Sequence, residues 1–384
     1  MCCRGFQIFL TAYPTAQEIL DYDALRLNKF YAGADVRWNG NFHRVADPLR
    51  HPIDGLLTLS PEHPIGSVQD KILVGLFRFQ AFLKSLDVIF SSEETSIAER
   101  LVSLGFSESM IDRFFRPFLG GIFFDRQLGT TSRLFEFVMK MLATGSNTLP
   151  ERGIGAVSDQ LAKRLPPKCI HLNSPVSEIK VSKDENRVEV VSATTTVRGK
   201  CVVVATEGPV ASELLQGKIE ETEGKEPVGT VCLYFWTDEA PPSQEPMLYL
   251  NGESSGIVNN CCFPSTVCSA YAPRGKTLVS VSLIINFFED GNAADDDEAL
   301  ASKVKEELCE WFGESFVSTW TFLKAYRIPY AQPNQQPPTN FAREVKLDGN
   351  VFVCGDHRDG ATLEGALKSG RRAALQYLGG RVEA

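Results

Sequence analysis

The sequence predicts an α/β protein, in which part of a doubly wound sheet is combined with a mixed or antiparallel sheet that carries a helical insert. A short apolar run at 351–354 stops at Gly355-Asp356, and helix formers without proline begin at Thr362, which predicts a strand, a turn and a helix. A second apolar run, 201–205, also ends in small and turn residues. Because both runs end in turns typical of the carboxyl edge of a parallel sheet, we expect them to lie together.

The predicted helix after Thr362 has one face that carries almost no side chain. The small residues on this face recur at steps of three and four, namely Gly365, Ala366, Ser369, Gly370, Ala373 and Ala374. A ligand or another backbone must therefore approach closely, and tight helix-on-sheet packing is the alternative to a ligand. An aspartate after a strand, followed by the free N–H groups of a helix start, is an arrangement that receives ribitol hydroxyls, a pyrophosphate or a flavin carbonyl.

These motifs, V-F-V-C-G-D and L-E-G-A-L-K-S-G-R-R-A-A, resemble the C-terminal FAD-contacting segment of the flavin amine oxidase superfamily, which includes protoporphyrinogen oxidase and the carotenoid desaturases. The resemblance implies that Asp356 meets the ribityl or pyrophosphate part of FAD. It also implies that backbone N–H groups at Thr362 and Leu363 meet the pyrimidine end of the flavin ring. The other cofactor-binding candidates of this segment are Gly355, Gly365 and Ala366.

Two further positions resemble cofactor contacts of the same family. Val176 matches a residue whose backbone meets the adenine, and Ala205 opens an A-T-P-like turn near the pyrophosphate. The resemblance covers nearly the whole chain from Arg4 and implies FAD as the cofactor.

The glycine fingerprint of a dinucleotide-binding βαβ unit, G-x-G-x-x-G, does not occur in the 384 residues. The nearest string, at 153–158, follows Pro150 and a charged pair instead of a buried strand, and it resembles a P-x-G-G-M-G turn of the family. Because that fingerprint holds the ADP half of FAD in relatives, we expect the βαβ unit to be missing before this chain. FAD binding by the chain alone is therefore expected to be weak or absent.

Composition excludes several functions. A net charge of −9 and no basic run argue against a nucleic-acid partner. The ten cysteines form no C-x-x-C pair and no zinc-type spacing, and His43, His51 and His63 are interpreted as loop residues, so no metal site is predicted. Cysteines within apolar strand runs indicate reduced thiols and an intracellular protein, soluble or peripheral to a membrane. The compartment would be a plastid if the source is a plant, and otherwise the cytoplasm.

Residues 67–143 are predicted to be helical, whereas 35–64 are predicted to form strands and turns. An amphipathic stripe is formed by Leu76, Phe79, Leu83, Leu86 and Phe90. Packing of this stripe into the core is the favoured interpretation, and the alternative is an interfacial helix that contacts a membrane peripherally. The aromatic segment 113–125 favours a small apolar, lipid-like or polyene substrate.

Five segments summarise the predicted organisation. They are 1–66, the N-terminal part of a substrate domain; 67–144, its helical insert; 145–215, the middle segment of an FAD domain; 216–345, the substrate-domain sheet; and 346–384, the C-terminal FAD-contacting segment. An acidic surface loop is predicted at 289–297, before a helix at 298–311.

The resemblance implies an FAD-dependent oxidoreductase that removes a hydride from an apolar or cyclic substrate to the flavin, and no catalytic residue is assigned because the cofactor carries this chemistry. The turn 357–360 lacks the aromatic residue expected of amine oxidases, which favours the desaturase or protoporphyrinogen oxidase type. His357 and Arg358 are candidates either for binding a substrate carboxylate or for an exposed turn. The alternative function is a truncated, non-catalytic binding protein of the same fold. Substrate, electron acceptor and oligomeric state stay open.

Overall fold

The computed structural model describes residues 5, 7–182, 187–219, 225–253, 255–285 and 296–379. The chain divides into two compact units, which are described separately. Unit 1 comprises Met1–Ala12, Leu20–Asp159 and Val228–Ala331, and unit 2 comprises Tyr13–Ile19, Gln160–Pro227 and Gln332–Ala384. Most of the predicted acidic loop 289–297 lies outside the described residues, and the division into five segments stays a prediction.

The strands are β1 (Phe9–Leu10), β2 (Leu27–Lys29), β3 (Gly33–Trp38), β4 (Asn41–Ala46), β5 (Asn147–Pro150), β6 (Val176–Ser182), β7 (Arg187–Ser192), β8 (Thr196–Gly199), β9 (Val202–Val204), β10 (Val228–Thr237), β11 (Leu248–Asn251), β12 (Val258–Cys262), β13 (Thr277–Leu283), β14 (Thr321–Gln332) and β15 (Val351–Val353). The helices are α1 (Pro14–Ile19), α2 (Tyr22–Leu25), α3 (Pro52–Thr58), α4 (Val68–Leu83), α5 (Leu86–Ser91), α6 (Ile97–Ser103), α7 (Glu108–Met110), α8 (Arg116–Phe123), α9 (Ser132–Thr144), α10 (Gly155–Ala162), α11 (Gly208–Leu214), α12 (Pro264–Val267), α13 (Asp297–Phe312), α14 (Glu314–Val317) and α15 (Leu363–Tyr377).

Unit 1 is organised on a seven-stranded mixed sheet with the order β14-β10-β13-β12-β11-β3-β4. Strand β10, next to the edge strand β14, is buried on both faces, because alternate side chains enter two different hydrophobic clusters. Leu233 and Phe235 pack with helix α13 on one side, while Cys232 and Tyr234 face the other side. The predicted α/β class is confirmed, and the sheet predicted as mixed or antiparallel is mixed, since β11 and β3 are parallel.

Residues 35–90 show the predicted change from strands to helices but differ from the prediction in three details. Residues 35–64 contain β3 and β4 as predicted, but Pro52–Thr58 is helix α3, because proline at the first helical position favours a helix start. His43 lies within β4 and not in a loop. The predicted stripe from Leu76 to Phe90 is divided between α4 and α5, since the chain leaves the helix at Lys84-Ser85.

The face of α4 that packs against the protein is also not the face predicted from the apolar stripe. Phe77 and Ala81 fill its buried face, whereas Leu76, Phe79 and Leu83 are 53%, 62% and 64% exposed. The core-packing interpretation is therefore wrong for the part of the stripe on α4, whereas Leu86 and Phe90 of α5 are half-buried. Within the described part of the chain, no helix has both the length and the apolar character needed to cross a membrane.

Unit 2 contains the parallel pair β9 and β15, which lie 149 positions apart in the chain at Val202 and Val351 and are directly paired there. A hydrophobic cluster holds the pair against α11, with Val204, Ala211 and Val353 among its buried members. The expected meeting of the runs 201–205 and 351–354 is confirmed. A separate antiparallel sheet of β6, β7 and β8 lies in the same unit.

Candidate functional site

The turn after β15 has a backbone that only glycine suits. The N–H of Cys354 donates to the carbonyl of Val204 at 2.9 Å, so the end of β15 stays beside the end of β9. Gly355 follows with φ of +150°, and a Cβ at this position would lie 2.5 Å from the ring of His357. The chain then makes one 3-10 turn, Asp356–Arg358. The strand therefore ends in a tight turn that presents an acidic residue.

Helix α15 begins with two unused backbone donors. Thr362 is its N-cap, and the Thr362 hydroxyl accepts the N–H of Gly365 at 3.0 Å. The N–H groups of Leu363 and Glu364 have no acceptor among the residues that the structure describes. Since the helix is 15 residues long, its start also carries the positive end of the helix dipole. This end of α15 can receive an anion or a carbonyl oxygen.

Of the two glycines on the predicted close face of α15, only Gly365 is in close contact with another part of the chain. A Cβ on Gly365 would lie 2.0 Å from the carbonyl oxygen of Gly360, so the backbone of the preceding turn occupies that space. Ala366 is half-buried beside it. A Cβ on Gly370 would meet nothing within 4 Å, so no described part of the chain approaches the helix closely there, and a close approach by a ligand stays a prediction. The contact that requires a small residue at Gly365 comes from the chain itself, and its role toward a cofactor stays a prediction.

Asp356 is a partly exposed carboxyl in an environment that disfavours its charge. Burial raises the pKa of Asp356 to about 6, and the nearby Glu207 adds to the increase, although backbone hydrogen bonds at 356 and 357 act against it. A carboxyl group of this kind can accept a hydrogen bond from a hydroxyl, and in its protonated form can donate one.

The next two residues are buried, which contradicts the exposed-turn alternative. The side chain of His357 is fully buried, and neither ring nitrogen has a hydrogen-bond partner among the described residues. Burial lowers the pKa of His357 to about 4, and the cations Arg358 and Arg343 contribute to the decrease. Arg358 donates to the carbonyl of Glu344, and burial, with its arginine neighbours, lowers its pKa to about 10.

Of the two upstream candidates, one lies beside this turn. Ala205 is exposed directly after β9, and the carbonyl of Thr206 lies 3.5 Å from the Cβ position of Gly355. The Thr206 hydroxyl is buried without a partner among the described residues. Val176 begins β6 opposite Ser192, in the separate three-stranded sheet. The structure thus joins Ala205 to the segment 355–366 and places Val176 elsewhere in unit 2.

Two residues hold this segment together through hydrogen bonds that the sequence did not predict. Ser369 bonds Gly355, although the sequence marked it only as small. The buried carboxylate of Glu364 accepts the N–H of Thr15 at 2.8 Å and that of Ala16 at 3.3 Å, at the start of α1. The partners are 349 positions apart, and no local pattern signals such a pair.

The residues present fit the ribityl and pyrophosphate part of a dinucleotide. The fit is carried by a carboxyl at the strand end, unused N–H groups at the start of α15, and the buried, unpaired polar atoms of Thr206 and His357. Among the described residues, no group of three His, Cys, Asp or Glu side chains is arranged to hold a metal ion. An acidic strand end followed by the free start of a helix is the arrangement with which one class of α/β proteins binds dinucleotides.

The family is shown by sequence. A model of the flavin containing amine oxidoreductases matches residues 4–376, and the chain therefore belongs to this family. The predicted family membership is confirmed. No curated protein shows significant sequence similarity to the chain.

Solved structures of the same fold include three oxidoreductases. A structure assigned as a protoporphyrinogen oxidase from Exiguobacterium sp. 255-15 is 14% identical, with a TM-score of 0.69 over 98% of this chain and 87% of the other. An oxidoreductase from Methanosarcina mazei is 14% identical, with a TM-score of 0.66 over 91% and 81%. The cyclohexylamine oxidase from Brevibacterium oxydans IH-35A is 14% identical, with a TM-score of 0.61 over 97% and 86%. At these identities the likeness concerns the fold.

Proposed function

We propose that this protein is an FAD-dependent oxidoreductase of the amine oxidase and desaturase type, which removes a hydride from an apolar or cyclic substrate. The observation that carries the proposal is the acidic turn after β15 next to the unused N–H groups at the start of α15. When bound, the flavin would supply the hydride acceptor. The protein's own part is to hold and orient the cofactor and to exclude water.

The residues of unit 2 have distinct parts in this proposal. Asp356 accepts hydrogen bonds from ribityl hydroxyls, and the N–H groups at the start of α15 bind a pyrophosphate or a flavin carbonyl oxygen. Ser369 and Gly365 keep the turn and the helix in register. No residue is assigned to proton transfer.

The aromatic segment of unit 1 supports an apolar substrate. Phe115 and Phe123 are fully buried and belong to the core. Phe114, Phe118 and Ile122 are half-buried at steps of four, and the rings of Phe114 and Phe118 stack with centroids 5.4 Å apart. A half-buried apolar row of this kind suits a substrate without charge.

A non-catalytic binding protein of the same fold is the second candidate. It is favoured by one observation, the lack of G-x-G-x-x-G in the 384 residues. Each charge-assisted hydrogen bond to a pyrophosphate contributes about 1.5–3 kcal/mol. Loss of two such bonds would weaken binding at least about a hundredfold, since 1.4 kcal/mol corresponds to about tenfold in affinity.

Titration of the purified chain with FAD, followed by flavin absorbance and fluorescence, separates the two candidates. We expect weak binding that decreases at least about tenfold in Asp356→Asn, because one charge-assisted hydrogen bond is lost. Asp348→Asn, an exposed carboxylate of the same unit, is the matched control and should bind like the parent. Equal binding by Asp356→Asn would contradict the role of Asp356, and complete absence of binding would favour the binding protein. Stoichiometric, tightly held FAD would instead support an active enzyme in this chain.

A further inference from the structure

Helices α3 and α4 of unit 1 carry their apolar residues on the outside. On α3, Ile53, Leu56 and Leu57 are 78%, 71% and 65% exposed. The exposed residues of α4 are Val68, Gln69, Ile72, Gly75, Leu76, Phe79, Gln80, Phe82 and Leu83. None of them is charged. We call the exposed sides of these two helices the α3–α4 face.

The charged residues of both helices are turned toward the protein. On α4, Asp70 is buried and accepts hydrogen bonds from the N–H and the hydroxyl of Ser107, both at 2.7 Å. Lys71 is buried and donates to the carbonyl of Ser60 at 3.0 Å. The one charged residue of α3, Asp54, accepts the hydroxyl of Tyr31 at 2.5 Å. A helix in contact with water has the reverse arrangement, with its charges outside.

Two polar contacts connect α4 with the residues that flank α3, so both helices belong to the same region of unit 1. Arg78 of α4 forms an ion pair with Asp47, which precedes α3. Lys71 of α4 bonds the carbonyl of Ser60, which follows α3. The chain directions of α3 and α4 are therefore opposite.

We propose that the α3–α4 face docks the protein on a lipid bilayer, with these side chains inserted among the acyl chains. A helix with apolar residues outside and its charges satisfied inside is suited to a surrounding that is less polar than water. Protein interfaces are enriched in Tyr, Trp, Phe, Met and Arg and make about one hydrogen bond per 100–200 Å². Of these types the exposed positions of the two helices contain only Phe79 and Phe82, and Gln69 and Gln80 are their only exposed hydrogen-bonding side chains, so the surface offers few of the hydrogen bonds that a protein partner would make.

The charge of this region determines which lipids it binds. Residues 49–91 contain four basic and four acidic side chains, so the segment has no net charge at neutral pH. Attraction to anionic headgroups therefore contributes little, and the insertion of apolar side chains provides the affinity. Binding should occur on uncharged phosphatidylcholine and should persist at high salt, where electrostatic attraction is screened. This inference uses only unit 1 and does not rest on the proposed function.

The test is sedimentation of the full chain with phosphatidylcholine vesicles, with and without an anionic lipid, at low and high salt. The test variant is Leu76→Gln/Phe79→Gln/Leu83→Gln. A matched control replaces three exposed apolar residues of unit 2, Leu165→Gln/Ile170→Gln/Leu172→Gln. We expect the parent and the control to bind uncharged vesicles, and the α4 variant to lose at least about tenfold in partition coefficient, because three apolar side chains no longer leave water.

Three results would overturn the proposal. The first is that the parent binds no vesicles. The second is that it binds only anionic vesicles and that high salt abolishes this binding. The third is that the α4 variant and the control lose equally in partition coefficient. Sedimentation velocity without lipid tests whether a second copy of the chain covers the α3–α4 face instead. A parent dimer that becomes monomeric only in the α4 variant, with no vesicle binding, would assign the face to a second copy of the chain. Unchanged thermal unfolding of both variants shows that the comparison concerns folded protein.

Discussion

The hydroxyl of Ser369 makes two hydrogen bonds to Gly355, accepting its N–H at 2.9 Å and donating to its carbonyl at 2.8 Å. Ser369 lies within α15 and is completely buried. One side chain thus holds the turn after β15 against the helix whose start forms the other half of the candidate site. The position of Asp356 relative to the start of α15 depends on this contact.

Ser369→Ala is expected to destabilise the protein. The substitution leaves the half-buried N–H of Gly355 without its partner and removes one of the two donors to the Gly355 carbonyl, which still accepts the N–H of Arg358 at 3.1 Å. The expected cost is about 1–3 kcal/mol. Urea unfolding measures the change in the free energy of unfolding. Ser302→Ala is the control, because Ser302 is an exposed helical serine whose hydroxyl bonds only its own helix, to the carbonyl of Glu298. Equal stabilities of the two variants would show that the Ser369 contact does not hold the turn.

Gly365 and Gly370 form a matched pair on one helix. Gly365→Ala should destabilise the protein by about 1–3 kcal/mol, because its Cβ would collide with the carbonyl of Gly360. Gly370→Ala meets open space and should be neutral or stabilising by up to about 1 kcal/mol, since alanine has the higher helix propensity. Thermal unfolding of both variants provides the comparison. A larger loss at Gly370 than at Gly365 would contradict the assignment of the close contact.

Asp356 and His357 should give opposite pH dependences of stability. The pKa of His357 is about 4 in the folded protein and lies below its ordinary value of 6.5, so the unfolded chain takes up this proton first. The His357 contribution is therefore present above pH 6.5 and is lost as the pH falls toward 4. The pKa of Asp356 is about 6 and lies above its ordinary value of 3.8, so its contribution is lost as the pH rises from 3.8 to 6.

Two substitutions separate these contributions. Relative to the parent, His357→Asn should gain stability as the pH falls from 6.5 to 4, because the buried imidazole no longer resists protonation. Asp356→Asn should gain stability, again relative to the parent, as the pH rises from 3.8 to 6. Urea unfolding at a series of pH values gives both differences. Parallel curves for the parent and both variants would show that neither group has a perturbed pKa in the folded protein.

The sequence by itself determined the family, the α/β class and the strand, turn and helix around Asp356. These features depend on residues that are neighbours in the chain: an apolar run, the pair Gly355-Asp356 and the helix formers from Thr362. Local patterns of this kind are visible without a fold. The meeting of β9 and β15 was also predictable, because both runs have the buried character of parallel strands.

Only the tertiary structure shows which residues of each helix pack against the rest of the protein. The 3.6-residue period identified the apolar stripe of α4, but a period does not state whether the stripe faces a core, and in the fold Leu76 and Phe79 face outward. Likewise Gly365 and Gly370 are equivalent in sequence, and only the path of the backbone brings Gly360 against one of them. The bond between Glu364 and Thr15 joins residues 349 positions apart, so no local pattern could have indicated it.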